Sequence, residues 1–202
     1  MAVTIPVPAP RAPLDGRRAA GSPVALWYED ELGWATADGP PVCLPTGLRF
    51  DVLDLPAAAG LAVLRRVRGD WPVAVAGRRM SVLVAAGSAE ELPGLLDWLE
   101  WGGVGLDLTA RGAGDRMAAP TPPGWDVSGT PGTAAVWLRP PEPGRGVEAT
   151  LAGLPGVAGG AGAPGRSGLV RLVAVAATEC HRVRLLAAAA GGRARSRGAA
   201  RR

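Results

Sequence analysis

The chain has 202 residues and a net charge of +4, and its 30 Gly and 20 Pro make up about a quarter of it. All 22 basic residues are Arg, and Trp supplies seven of the nine aromatics. The composition excludes a collagen (no Gly period), a disulfide scaffold (two Cys) and a coiled coil, and it predicts one domain of ordinary size with Pro- and Gly-rich surroundings.

In chain order, residues 1–22 are rich in Pro, Ala and Arg and are expected to be disordered. An ordered domain is expected over 23–155. Val24 to Tyr28 reads as a strand closed by the acidic turn Glu29-Asp30-Glu31. Leu48 to Asp54 reads as a second strand, with Leu48, Phe50 and Val52 alternating with Arg49 and Asp51. Pro56 opens a helix to about Val67, with Leu61, Leu64 and Val67 on one face and Arg65, Arg66 and Arg68 late, where the helix dipole favours cations. Val73–Ala76 and Met80–Ala85 read as a hairpin around Gly77-Arg78-Arg79.

Ser88 to Glu91 fits a capping box, Ser88 as N-cap, and Leu92, Leu95, Leu96 and Leu99 continue it as an apolar helical stripe that Gly102-Gly103 stops. Val104–Leu108, Arg116–Ala119 and Ala134–Leu138 read as further strands. A short helix is expected around Val147–Leu154 and a flexible linker over 156–168. Leu169, Leu172, Val173, Ala176, Cys180 and Val183 then recur at helical spacing, predicting an amphipathic helix over 169–190 followed by a disordered basic tail over 191–202. Short strands mixed with a few helices predict an α+β fold, a mostly antiparallel sheet with flanking helices.

The charge is divided along the chain. Residues 191–202 hold five Arg and no acid, whereas 23–110 hold six Arg against twelve acids. The all-Arg usage fits the codon bias of a high-GC bacterial genome. Cys43 and Cys180 form no metal-ligand spacing, and no apolar run is long enough for a signal peptide or a membrane span. The expected setting is the cytoplasm, with no membrane partner.

Three stretches carry chemistry: the acids Asp51 and Asp54, the pair Arg78 and Arg79, and Asp107 ahead of Gly112-Ala113-Gly114. Thr46-Gly47 leading into Val52-Leu53-Asp54, then Gly77-Arg78-Arg79-Met80, then Leu106-Asp107-Leu108 with Arg111-Gly112-Ala113-Gly114 and Ala118-Ala119-Pro120, occur in a telling order. Over about Val24 to Leu138 the chain resembles the bifunctional DNA primase/polymerase (Prim-Pol) domain of the archaeo-eukaryotic primase superfamily. The resemblance implies a Prim-Pol/RRM-like fold. In that family two acids spaced D-x-D and a later Asp hold two divalent metals for nucleotidyl transfer, and a His after a Gly-basic pair contacts the incoming nucleotide.

Here Pro56 stands where the second acid would follow Asp54, and Arg79 stands at the His position. The single His, His181, lies outside the motifs. The resemblance therefore implies a catalytically degenerate domain that binds nucleotide or nucleic acid, without a cofactor. Asp54 and Asp107 would be catalytic remnants, and Arg78 and Arg79 would contact phosphate, which a guanidinium matches bidentately. One alternative is an active nucleotidyltransferase with Mg or Mn on Asp51, Asp54 and Asp107. Another is a non-catalytic scaffold that docks a protein partner through 169–190. Arg193, Arg195, Arg197, Arg201 and Arg202 suit a nucleic-acid backbone through counterion release. The plainer roles are a helix cap for Asp54, a turn for Gly112–Gly114, and packing for Trp98 and Trp101.

Overall fold

The computed structural model describes residues 22–37, 39–125, 134–143 and 168–199, the side chains of 191–199 excepted. The N-terminal segment, the expected 147–154 helix, nearly all of the linker, and Arg201 and Arg202 lie outside the described residues. The fold is α+β. Five strands form one sheet in the order β5-β2-β4-β3-β7, and every neighbouring pair is antiparallel. They are β2 (Phe50–Pro56), β3 (Val73–Ala76), β4 (Arg79–Ala85), β5 (Thr109–Arg111) and β7 (Val136–Arg139). A separate ribbon pairs β1 (Cys43–Pro45) with β6 (Arg116–Ala118).

Strand alternation sorts the sheet residues onto two faces. Leu53 and Leu55 of β2, with Met80, Val82 and Val84 of β4, meet α2 (Ala57–Arg66), α3 (Ser88–Trp98) and α4 (Gly168–Ala199) in the larger core. Phe50, Val52, Ala74 and Leu83 point the other way. There they pack with Tyr28 of α1 (Pro23–Leu32), Trp34, Leu44 of β1 and Met117 of β6. The molecule is thus three layers: helices, sheet, and a cover of α1 with the ribbon.

Several expectations are corrected. Val24–Tyr28 is part of helix α1, with Pro23 in its first turn and Gly33 in the left-handed conformation ending it. Ala25 and Tyr28, three apart, are its buried side. The Tyr28 hydroxyl donates to the Pro120 carbonyl at 2.7 Å and accepts from Trp137 Nε1 at 2.9 Å. Burial pushes this phenol well above its ordinary pKa, against the opposing Trp137 hydrogen bond.

Helix α2 buries Ala59, Gly60 and Val63 instead of Leu61, which is exposed. The reason lies at Gly60: a Cβ there would fall 2.1 Å from Met80 Sδ, so the helix sits on β4 through its smallest residue. The hairpin turn is the two-residue Gly77-Arg78, with Arg79 already paired to Ala76. Val104–Leu108 is loop, and the strand begins only at Thr109. Helix α3 gives way at Glu100, whose φ of +63° ends it two residues before Gly102. Strand β6 leaves the main sheet to pair with β1, which the sequence pattern had not indicated.

Helix α4 is no appendage. Leu169, Leu172, Val173, Ala176 and Cys180 are buried in the larger core, mainly against α2 and α3. The apolar stripe of 169–180 thus packs within the molecule, while 184–190 are exposed. The helix begins at Gly168, inside the expected linker, and runs past Ala190 to Ala199. The backbone of 191–199 is therefore helical, where a disordered tail was expected. Among the described residues no helix is long and apolar enough to cross a membrane.

Candidate functional site

The candidate residues hang on three elements: β2, the β3–β4 hairpin and the loop before β5. Asp51 is fully buried on the helical face of β2, and its Oδ2 accepts the Ala89 amide of α3 at 2.8 Å. This completes a helix start that sequence assigned to Ser88. The N-cap is Gly87, which has no side chain to offer and adopts φ +89°. A neighbouring strand supplies the capping acceptor instead. Burial raises the Asp51 pKa, the Ala89 amide opposes that, and nearby Glu90 raises it further.

Asp54, three residues on, lies on the opposite face. Its Oδ1 accepts from Ser81 Oγ at 2.6 Å, and its Oδ2 is paired with the Arg111 guanidinium. Arg111 also donates to the Arg116 carbonyl at 3.0 Å. Asp54 does not cap α2, as proximity to Pro56 had indicated. The Arg78 carbonyl receives the Ala57 amide at 2.8 Å in its place.

Asp107 sits in the loop before β5, and its Oδ1 accepts from Arg79 at 2.6 Å. Both side chains are substantially exposed. The Cys180 thiol of α4 lies behind, 3.6 Å from the Asp107 carbonyl, and burial together with the Asp107 charge pushes its pKa up to about 12. Such a thiol is not a nucleophile at neutral pH. Arg78 is exposed at the turn. His181 packs beside Trp101, ring centroids 5.6 Å apart.

The glycine motifs serve packing. A Cβ at Gly47 would come within 2.3 Å of Ala113 Cα, and Gly47 itself has φ +83°. Thr46 Oγ1 donates to the Gly112 carbonyl at 2.6 Å. Thr46-Gly47 and Arg111–Gly114 are therefore two halves of one loop contact.

The structure thus brings Arg79 to Asp107 and keeps Asp51, Asp54 and Asp107 apart. Asp51 and Asp54 face opposite sides of the sheet, and each carboxylate already has a protein partner. Among the described residues no group of three or more His, Cys, Asp or Glu is placed to hold a metal ion. The residues present do not fit a two-metal clamp, which needs shared carboxylates about one residue pair apart on one face.

No family model, curated protein or solved structure matches the chain.

The chemistry therefore rests on these residues alone. Sequence reasoning missed Arg111 and Ser81 as the partners of Asp54. Ser81 lies opposite Asp54 in the pairing of β2 with β4, which spans α2 and β3 and which the β3–β4 hairpin alone does not give. No local signal marked Arg111, which lies 57 residues from Asp54. What the site offers is a pair of arginines at one end of the sheet, one of them loosely held by an exposed carboxylate.

Proposed function

We propose that this protein is a divergent Prim-Pol-like domain that binds the phosphate of a nucleotide through Arg79 and Arg78 and does not carry out nucleotidyl transfer. The observation behind this reading is the exposed Arg79–Asp107 pair. It joins two of the three stretches that resemble the family, while Asp51 and Asp54 are engaged elsewhere. An exposed ion pair contributes about 0–1 kcal/mol, so a phosphate can displace Asp107 from Arg79 at little cost. A guanidinium then offers two parallel N–H donors to phosphate oxygens, and Arg78 adds a second positive charge at the turn.

Calorimetry with a nucleoside triphosphate tests binding, and primer extension with Mg²⁺ or Mn²⁺ tests catalysis. Arg79→Ala is expected to weaken nucleotide binding about tenfold, the loss of one charge-assisted hydrogen-bonded contact. Extension is expected to be absent. Incorporation that disappears in Asp107→Ala would overturn the non-catalytic reading in favour of an active nucleotidyltransferase.

A further inference from the structure

Helix α4 has two faces, and the core uses one. Leu172, Val173, Ala176 and Cys180 are buried on the inner side. Arg171, Val175, Thr178, Arg182, Leu185 and Ala189 recur at alternating steps of four and three along the other side. All but Val175 are exposed, Leu185 at 56%, and its neighbour Leu186 is 59% exposed. Such steps align side chains into a ridge by which one helix lies along another. Thr178 donates its hydroxyl to the Ala174 carbonyl at 2.9 Å, so the charges of the ridge are its arginines. Glu179, the sole acid of residues 168–190, is buried.

Helix α3, in the same layer, has the opposite character. Residues 88–100 hold Glu90, Glu91, Asp97 and Glu100 and no basic residue. Glu91, Gly94, Asp97 and Trp98 are exposed, and Trp98, at 71%, is the most exposed large apolar side chain among the described residues. A Cβ at Gly94 would meet nothing within 4 Å, so no packing inside the molecule requires glycine there. Glycine weakens a helix interior relative to alanine. What it provides here is a notch beside Trp98 that another helix can approach closely.

We propose that the outer faces of α3 and α4 form the contact of a homodimer, the α4 ridge of each copy lying on the α3 of the other. The inference is independent of nucleotide binding at Arg79. Charge complementarity chooses a second copy as the occupant. One molecule presents a basic, apolar ridge beside an acidic, notched helix, so a two-fold axis between them satisfies both contacts at once. Leu185 and Leu186 of one copy then leave water together with Trp98 of the other. Two helices side by side present a face about 20 Å wide and 30 Å long. That is of order 600 Å² per copy, against about 800 Å² in a standard interface, so the dimer is expected in the micromolar range.

Sedimentation equilibrium of the full chain tests this. The natural chain should pass from monomer to dimer between about 1 and 100 µM, and raising the salt should weaken the dimer. Leu185→Gln with Leu186→Gln should raise the dimer dissociation constant at least about tenfold, at an unchanged urea midpoint, because both side chains are exposed in the monomer. Two charge variants test the geometry. One carries Glu91→Arg, Asp97→Arg and Glu100→Arg; the other carries Arg171→Glu and Arg182→Glu. Each alone should be monomeric, because its two outer faces then bear one sign. An equimolar mixture should restore the dimer, because each contact then joins opposite signs. A natural chain that stays monomeric to about 200 µM overturns the proposal. So does a dimer that all three variants leave intact. A mixture that stays monomeric while both charge variants keep the natural urea midpoint overturns it as well. If the natural chain is monomeric throughout and the α3 charge variant lowers its midpoint, the occupant is this chain's own arginine-rich end, and the homodimer is ruled out.

Discussion

At Asp51 two effects oppose each other. Burial penalises the charged carboxylate, and the Ala89 amide at the start of α3 supports it. Burial is the larger, so the folded-state pKa lies above the ordinary 3.8. The sign of the pH dependence follows. The charged form is the costly one in the folded state, so the penalty is fully present once pH lies above the raised value. It is relieved as pH falls through the raised value, with no further gain below 3.8. Asp51→Asn keeps an acceptor for Ala89 without the charge. Relative to this variant, the natural protein should gain stability as pH falls from neutral towards 3.8, measured as urea midpoints. A natural protein that instead loses ground to the variant on acidification would show that the amide outweighs burial. Gly47 gives a second prediction at this scale. Its φ of +83° and the 2.3 Å approach of a Cβ to Ala113 make Gly47→Ala strained twice over. A loss of about 1–3 kcal/mol is expected in denaturant unfolding.

Among the elements, the contact of α2 with α4 carries an ion pair of unequal partners. Glu179 is buried, and its Oε1 lies 2.8 Å from Arg66, which is more than half exposed; Arg182 stands farther off, at 3.8 Å. Removing each partner should therefore have a different effect. Arg66→Ala strands a buried carboxylate with only the distant Arg182 and should destabilise by about 1–3 kcal/mol. Glu179→Gln leaves an arginine that water can solvate and should be close to neutral. Equal losses in a urea series would mean that Glu179 is better solvated than its burial implies. Elements were legible in the sequence where a long periodic pattern met local turn chemistry: β2 before Pro56, the Gly77-led hairpin, the leucine stripe of α3 and the stripe of α4. They were not legible where tertiary contacts decide. The apolar run Val24–Tyr28 suits a strand as well as a helix, and only the place of Tyr28 under the sheet settles it. β1 has only three residues, the last of them Pro45, and their partners are more than 70 residues away. The same holds for the candidate site. The residues Asp54, Arg79 and Asp107 were visible, but the Arg111 that holds Asp54 arrives through the pairing of β2 with β5.

For the molecule as a whole, the three layers separate the functional candidates in space. The helical face takes Asp51, the opposite face takes Asp54, and the hairpin end of the sheet takes Arg79 with Asp107. Helix α4 runs on past its packed part, and from Arg184 to Ala190 it is exposed.

The Tyr28 hydroxyl has its own consequence for how the molecule is made. Its partners at Pro120 and Trp137 lie 92 and 109 residues later. At translation rates of roughly 5–20 residues per second, α1 waits about 5–20 s for the residue that closes its layer. The sheet residues Phe50, Val52, Ala74 and Leu83 that pack on this layer are made early in that interval, and Trp137, which also packs against it, comes last. Helix α1 is thus made well before the residues that seal its polar end, and the edge of its aromatic layer stays open until Trp137 has been synthesised.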